Sequence, residues 1–211
     1  PMADKQPAPL ITPQMLHDWN ACYSGDRVAE LYAGRKALSP LQVCDLHISA
    51  PDRMWVVLRK EIIPKAELYE LAFQFARAIL PPATSLDTGD RERRRHAERV
   101  FRATRRWLRG SITDRQLLDI GYTLWGIHET KPIAGVVTYA AATDPRIAAY
   151  DAARMARSHV FDKTLKTAMS GAAAAAAASK ALGEEQLALT RKVLVRLYGT
   201  AKVKRKAANA T

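Results

Sequence analysis

DRERRRHAERVFRATRRWLRG, residues 90–110, is the stretch on which the fold turns. Set at 100° per residue, Ala97, Phe101, Thr104 and Leu108 fall on one face. Arg91, Arg95, Arg99, Arg102, Arg106 and Arg109 fall within a band on the opposite face. The spacing predicts an amphipathic helix that buries the first set and turns the arginines to solvent. Gly110 ends it, as glycine does just past a helix. At 1.5 Å per residue the arginine row is about 28 Å long. Glu92 and Glu98 are the main carboxylates on this helix able to neutralise it. Each guanidinium can grip phosphate or carboxylate oxygens with two donors, so the row suits an acidic partner.

Working outward, the same punctuation recurs. Thr12-Pro13, Ser39-Pro40 and Asp144-Pro145 each place a capping side chain before a proline at the first helical position. Asp52 is placed to cap a short helix carrying Met54, Trp55 and Leu58, and Pro64 opens a longer one with Leu68, Leu71, Phe75 and Ile79 on one side. Pro81-Pro82 stops it. Thr113 and Gln116 form a capping box for a helix reaching about residue 129. The segment 133–143 carries Val136, Val137, Thr138 and Tyr139, which favour strand locally, but it has no partner strand and is read as helix. Further helices are expected over about 145–159, 161–182 with Gly183 as terminator, and 184–198. The alanine run Ala172–Ala178 reads as a buried, close-packed seam, with an exposed face for self-association as the alternative.

The expected fold is all-α: a compact helical array in which short N-terminal helices pack on four or five longer C-terminal ones. Its divisions are a disordered segment at 1–10, a helical half at 11–82, a bundle at 90–199 and a basic tail at 200–211. Pro1, standing before Met2, is left out of fold reasoning. The polar run 3–9 lacks the apolar core of an export signal, and the alanine run is about half the roughly 20 residues a membrane span needs. A cytoplasmic location is therefore expected. Cys22 and Cys44 lie too far apart for a CxxC pair and read as reduced, small core residues.

The chain carries 33 Lys and Arg against 21 Asp and Glu, a formal net charge of +12, which favours polyanions and acidic surfaces. The tail residues Lys202, Lys204, Arg205 and Lys206 add a second basic cluster. His17, His47, His96, His128 and His159 sit at unrelated spacings, with no HExxH pair. No GxxxxGK[ST] loop or GxGxxG turn is present either. Aromatic residues do not interleave with the basic ones as they do in single-strand binders. No catalytic residue, metal, cofactor or small-molecule substrate is expected, and the chain reads as a non-enzymatic binding protein. Its partner is nucleic acid or another polyanion held by the arginine face and tail, or alternatively an acidic protein.

Several short segments carry a family resemblance. They are Ala21-Cys22-Tyr23, the run 52–58 (DRMWVVL), Leu71-Ala72 with Ala76–Pro81, Arg106–Gly110 with Thr113, and the alanine-rich helical end. In these the chain resembles the alanine-rich helical immunity-protein family of bacteria and phages, over about two thirds of its length. The resemblance implies binding and neutralising a toxin, with no catalytic residues and no cofactor. Immunity proteins against nucleases are usually acidic, mimicking the polyanionic substrate. A charge of +12 departs from that pattern and suits an acidic partner instead.

Overall fold

The computed structural model describes residues 7–80, 84, 86–125, 145–167 and 172–199. Over these the chain is all-α. Four short helices, α1 (Pro13–Asp18), α2 (Gly25–Tyr32), α3 (Pro40–Cys44) and α4 (Ala50–Val57), precede five longer ones. The longer helices are α5 (Lys65–Arg77), α6 (Thr88–Leu108), α7 (Asp114–Trp125), α8 (Pro145–Thr167) and α9 (Ala172–Tyr198). Among the described residues β pairing is confined to one isolated antiparallel bridge, Ile11 with Leu38.

The caps behave as the sequence suggests in most places. Thr12 and Ser39 accept backbone N–H groups at the starts of α1 and α3, and Gln42 closes a capping box with Ser39. Thr113 and Gln116 do the same for α7: the Thr113 N–H donates to Gln116 Oε1 at 2.9 Å, and the Gln116 N–H to Thr113 Oγ1 at 3.3 Å. Gly110 takes the left-handed conformation, φ 70°, that ends α6. One cap differs: Ser49, not Asp52, caps α4, leaving Asp52 to accept from the Tyr23 hydroxyl at 2.8 Å. α6 starts at Thr88, before residue 90, because the Asp87 carboxylate caps it, 2.9 Å from the Asp90 N–H.

The helix breaks expected near residue 160 and at Gly183 do not occur. α8 runs unbroken through 160, and Gly183 is a buried position inside α9. Its missing side chain has a packing reason: a Cβ there would sit 3.4 Å from Arg157 Cδ and 3.7 Å from Ala50 Cβ. Gly183 thus lets the Arg157 stem of α8 lie across α9, beside the start of α4. The Arg157 guanidinium donates to Gln186 Oε1 at 2.8 Å, and Gln186 Nε2 to the Ala153 carbonyl at 3.1 Å.

α5 is central, packed extensively against α8 and also against α9. Leu68, Tyr69, Leu71, Ala72, Phe73, Phe75 and Ala76 are all buried, so this helix is enclosed on most sides. The close-packed alanine seam belongs to α8, where Ala148, Ala149, Ala152, Ala153 and Ala156 are buried at i, i+1, i+4, i+5 and i+8. In Ala172–Ala178, by contrast, Ala175 is the buried member and the others are exposed or half-buried. A run that is alanine all round has no preferred face. Only the position in line with Leu182, Gln186, Thr190 and Val193 is covered.

Three ion pairs tie α9 to the N-terminal helices: Arg53 with Glu184 at 2.8 Å, Arg191 with Asp45, and Arg196 with Glu67. Tyr198 donates to the Ile62 carbonyl at the far end of α9. Arg59 is buried between two indoles, its Cζ 4.3 Å from the Trp19 ring centre and 4.1 Å from that of Trp55. Cys44 is buried as expected, and burial pushes its thiol up to about 11. Cys22 is exposed, contrary to expectation. α1 ends at Asp18 and Asn20 turns through φ 56°, so Cys22 lies in the connection to α2 rather than on a buried helix face. No described helix is long and apolar enough to cross a membrane. The segment 133–143 and the tail lie outside the described residues.

Candidate polyanion-binding face

α6 is built as a two-sided wedge with a third, charged edge. Its sequence holds eight arginines against three acids. Ala97, Val100, Phe101, Ala103 and Thr104 are buried. Val100 and Ala103 pack with Leu117 of α7, flanked by Trp107, Ile112 and Ile120. Towards α5, Phe101 meets Phe73 with ring centres 4.8 Å apart, and Trp107 meets Tyr69 edge-on at 5.5 Å. The Trp107 indole N–H donates to Asp114 at 2.6 Å, and Lys65 Nζ sits 4.3 Å from the centre of the same indole.

Two fork-to-fork ion pairs run in opposite senses across the α5–α6 seam. Arg77 of α5 donates through Nε and Nη2 to the two oxygens of Glu98, both at 2.9 Å. Arg105 of α6 donates likewise to Glu70 of α5, at 2.5 and 2.6 Å. All four side chains are about one-third exposed, from Glu98 at 27% to Glu70 at 35%. The hydrogen bonds from Arg77 hold the Glu98 carboxyl below its ordinary range, and the fields of Arg77, Arg94 and Arg102 act the same way. Glu70 correspondingly raises Arg105.

Arg91, Arg95, Arg99, Arg102, Arg106 and Arg109 are all exposed, in the row the sequence predicts. None of the six forms an ion pair with a described carboxylate. Glu98, expected to help neutralise the row, is instead drawn towards α5. Arg105, one position from the row, is the arginine that faces inward. At the N-terminal end the row borders a shallow groove of about 350 Å³ lined by Arg91, Arg94, Arg95, Glu98 and Arg102. Lys202, Lys204, Arg205 and Lys206 lie outside the described residues.

Sequence reading missed the partners of the paired arginines. Arg77, Arg105, Arg53 and Arg191 find carboxylates between 21 and 146 positions away, which no local spacing signals. A second, larger hollow of about 520 Å³ between α1 and α2 is lined by Leu16, His17, Asn20, Tyr23 and Val28 among others. It gathers no acid–base pair. Among the described residues no group of three or more His, Cys, Asp or Glu side chains is placed to hold a metal ion. No protein-family model, curated protein or solved structure matches the chain.

Proposed function

We propose that this is a non-enzymatic basic helical protein that binds a polyanion such as nucleic acid through the α6 arginine row. The observation that supports the reading most is a division of labour among arginines. Those on the inner seam, Arg77 and Arg105, are matched to carboxylates, while the six on the outer edge are exposed and have none among the described residues. A solvated face with no partner tends to mix both signs of charge. A predominantly positive edge about 28 Å long, with Glu98 held by Arg77, instead offers phosphates a row of two-pronged donors. The basic tail, if it acts, adds attraction without reading sequence.

The test is the salt dependence of binding to a labelled nucleic acid, followed by fluorescence anisotropy. Each engaged duplex phosphate lowers log K by about 0.9 per decade of salt, so four contacts give about a 100-fold loss between 50 and 200 mM. Replacing Arg95, Arg102 and Arg106 with Gln should reduce the slope by up to about three contacts. If the unmodified protein shows no binding at about 100 mM salt, the nucleic-acid reading fails. The immunity-like alternative, a protein that captures and neutralises an acidic protein, then takes its place.

A further inference from the structure

We propose that the polyanion is double-stranded nucleic acid, gripped through its phosphates without base readout. This rests on the polyanion reading above and narrows it. Three features of the arginine edge lead there.

The first is what accompanies the arginines. Binding of single strands relies on aromatic side chains on which bases stack, at about 1–3 kcal/mol per base. Every described Phe, Tyr and Trp side chain, a set that does not include Tyr122 and Trp125, is buried or half-buried. The two nearest the edge are committed inward: Phe101 against Phe73, and Trp107 between Tyr69, Lys65 and Asp114. A single strand laid on this edge would find charge but, among these described side chains, no platform for its bases.

The second is rigidity. α6 is wedged between α5 and α7 by two separate apolar contacts and two bidentate ion pairs, so the row keeps its geometry. A flexible strand would lose conformational freedom in conforming to a fixed row, with no stacking to offset the cost. A duplex is already ordered, and it presents about one charge per 1.7 Å of axis, twice the density of one strand. Fixed charge on the protein is best matched by dense, fixed charge on the ligand.

The third is chemistry. The exposed side chains of the row are guanidinium groups, bordered by Glu98, and α6 carries no Asn or Gln. Contacts to phosphate position a protein on a duplex but carry no sequence information. With the guanidiniums on phosphate, affinity is the same for duplexes of unrelated sequence, whereas arginines reaching guanine edges would favour one of them.

The full chain is titrated at about 100 mM salt against fluorescein-labelled 20-base-pair DNA duplexes of two unrelated sequences, and against each strand alone. The expected result is at least tenfold tighter binding of duplex than of either strand, with the two duplexes agreeing within about threefold. R95Q/R102Q/R106Q should lose most duplex binding, while R95K/R102K/R106K retains the larger part of it because the contacts are chiefly to charge. Circular dichroism of both variants checks that helix content is kept. Single strands binding as tightly as duplex, or one duplex favoured more than tenfold over the other, would overturn the inference and leave the polyanion reading standing. Absence of binding to every duplex and every strand overturns both.

Discussion

Consider replacing Gly183 with alanine. Gly183 lies inside α9 in a buried position, where a Cβ would meet Arg157 Cδ at 3.4 Å and Ala50 Cβ at 3.7 Å. Both are ordinary van der Waals separations, and the closer neighbour is a flexible side chain rather than backbone. Alanine is favoured over glycine in a helix interior by about 1 kcal/mol, and it also narrows the unfolded ensemble. After some loss from moving Arg157, the net expectation is a gain of about 0.5–1 kcal/mol. For a chain of this size that raises Tm by about 1–4 °C in a circular-dichroism melt. The reasoning predicts the opposite sign for a bulkier residue. Gly183→Leu must displace Arg157 or part α9 from α4, at about 1–3 kcal/mol. A helix that ended at Gly183 would behave differently. The glycine would then occupy a left-handed conformation, and alanine would destabilise by about 1 kcal/mol or more. A fall in Tm for G183A therefore refutes a continuous α9, and an unchanged Tm for G183L refutes the close approach of α4, α8 and α9.

Other expectations follow from the same contacts. Native protein should show one thiol that reacts quickly with a disulfide reagent, Cys22, and a second, Cys44, that reacts only on unfolding; two slow thiols would mean the α1–α2 connection is misplaced. Glu98 has a folded-state pKa below its ordinary 4.5. Its contribution to stability is therefore present above that pH and lost as the pH falls through the lowered value. E98Q should accordingly flatten the acid limb of a stability–pH curve, and an unaltered limb would show that Arg77 does not hold the carboxylate. Thr113→Ala should cost about 1 kcal/mol in urea denaturation through loss of the α7 cap. R95Q/R102Q/R106Q should match or exceed the unmodified protein in stability at low salt, since these side chains are exposed; unfolding would show that they are structural.

Much of the fold is legible in the chain because helix starts are local events. Thr12, Ser39 and Thr113 each sit within three residues of the N–H they accept, so reading the sequence in order finds them. The cap that moves, from Asp52 to Ser49, is a competition between nearby capping side chains, which geometry rather than residue type decides. Gly183 is harder. A glycine that ends a helix and one that admits a crossing side chain look identical until Arg157, 26 positions earlier, is seen lying over it. The alanine-rich segments pose a related problem: 148–156 sets its alanines on one face among Tyr150, Asp151, Arg154 and Met155, whereas 172–178 is alanine throughout and marks no face for burial. The arginine row was legible because it is one helix face. Its missing counter-charges were not, since Glu98 could turn either to the row or to Arg77, and the choice depends on where α5 lies.

That choice bears on function. The chain has fewer acids than bases, and several acids are spent on ties that hold the array together. Asp45, Glu67 and Glu184 anchor α9 to the N-terminal helices, while Glu70 and Glu98 lock α5 to α6. The outer edge of α6 is left with like charges at successive i, i+3 and i, i+4 positions. Each such contact is unfavourable by about 0.2–0.5 kcal/mol at low salt, so the five along the row cost on the order of 1–2 kcal/mol. Glu98, beside Arg94, Arg95 and Arg102, relieves part of it, but both of its oxygens are also held by Arg77. Phosphates relieve it too, and only while they are bound. On the proposed reading, the repulsion that weakens the free protein would add to the free energy of binding a polyanion. Variants of the row that hold or raise stability while binding falls away would be the mark of an edge whose charge serves a partner rather than the fold.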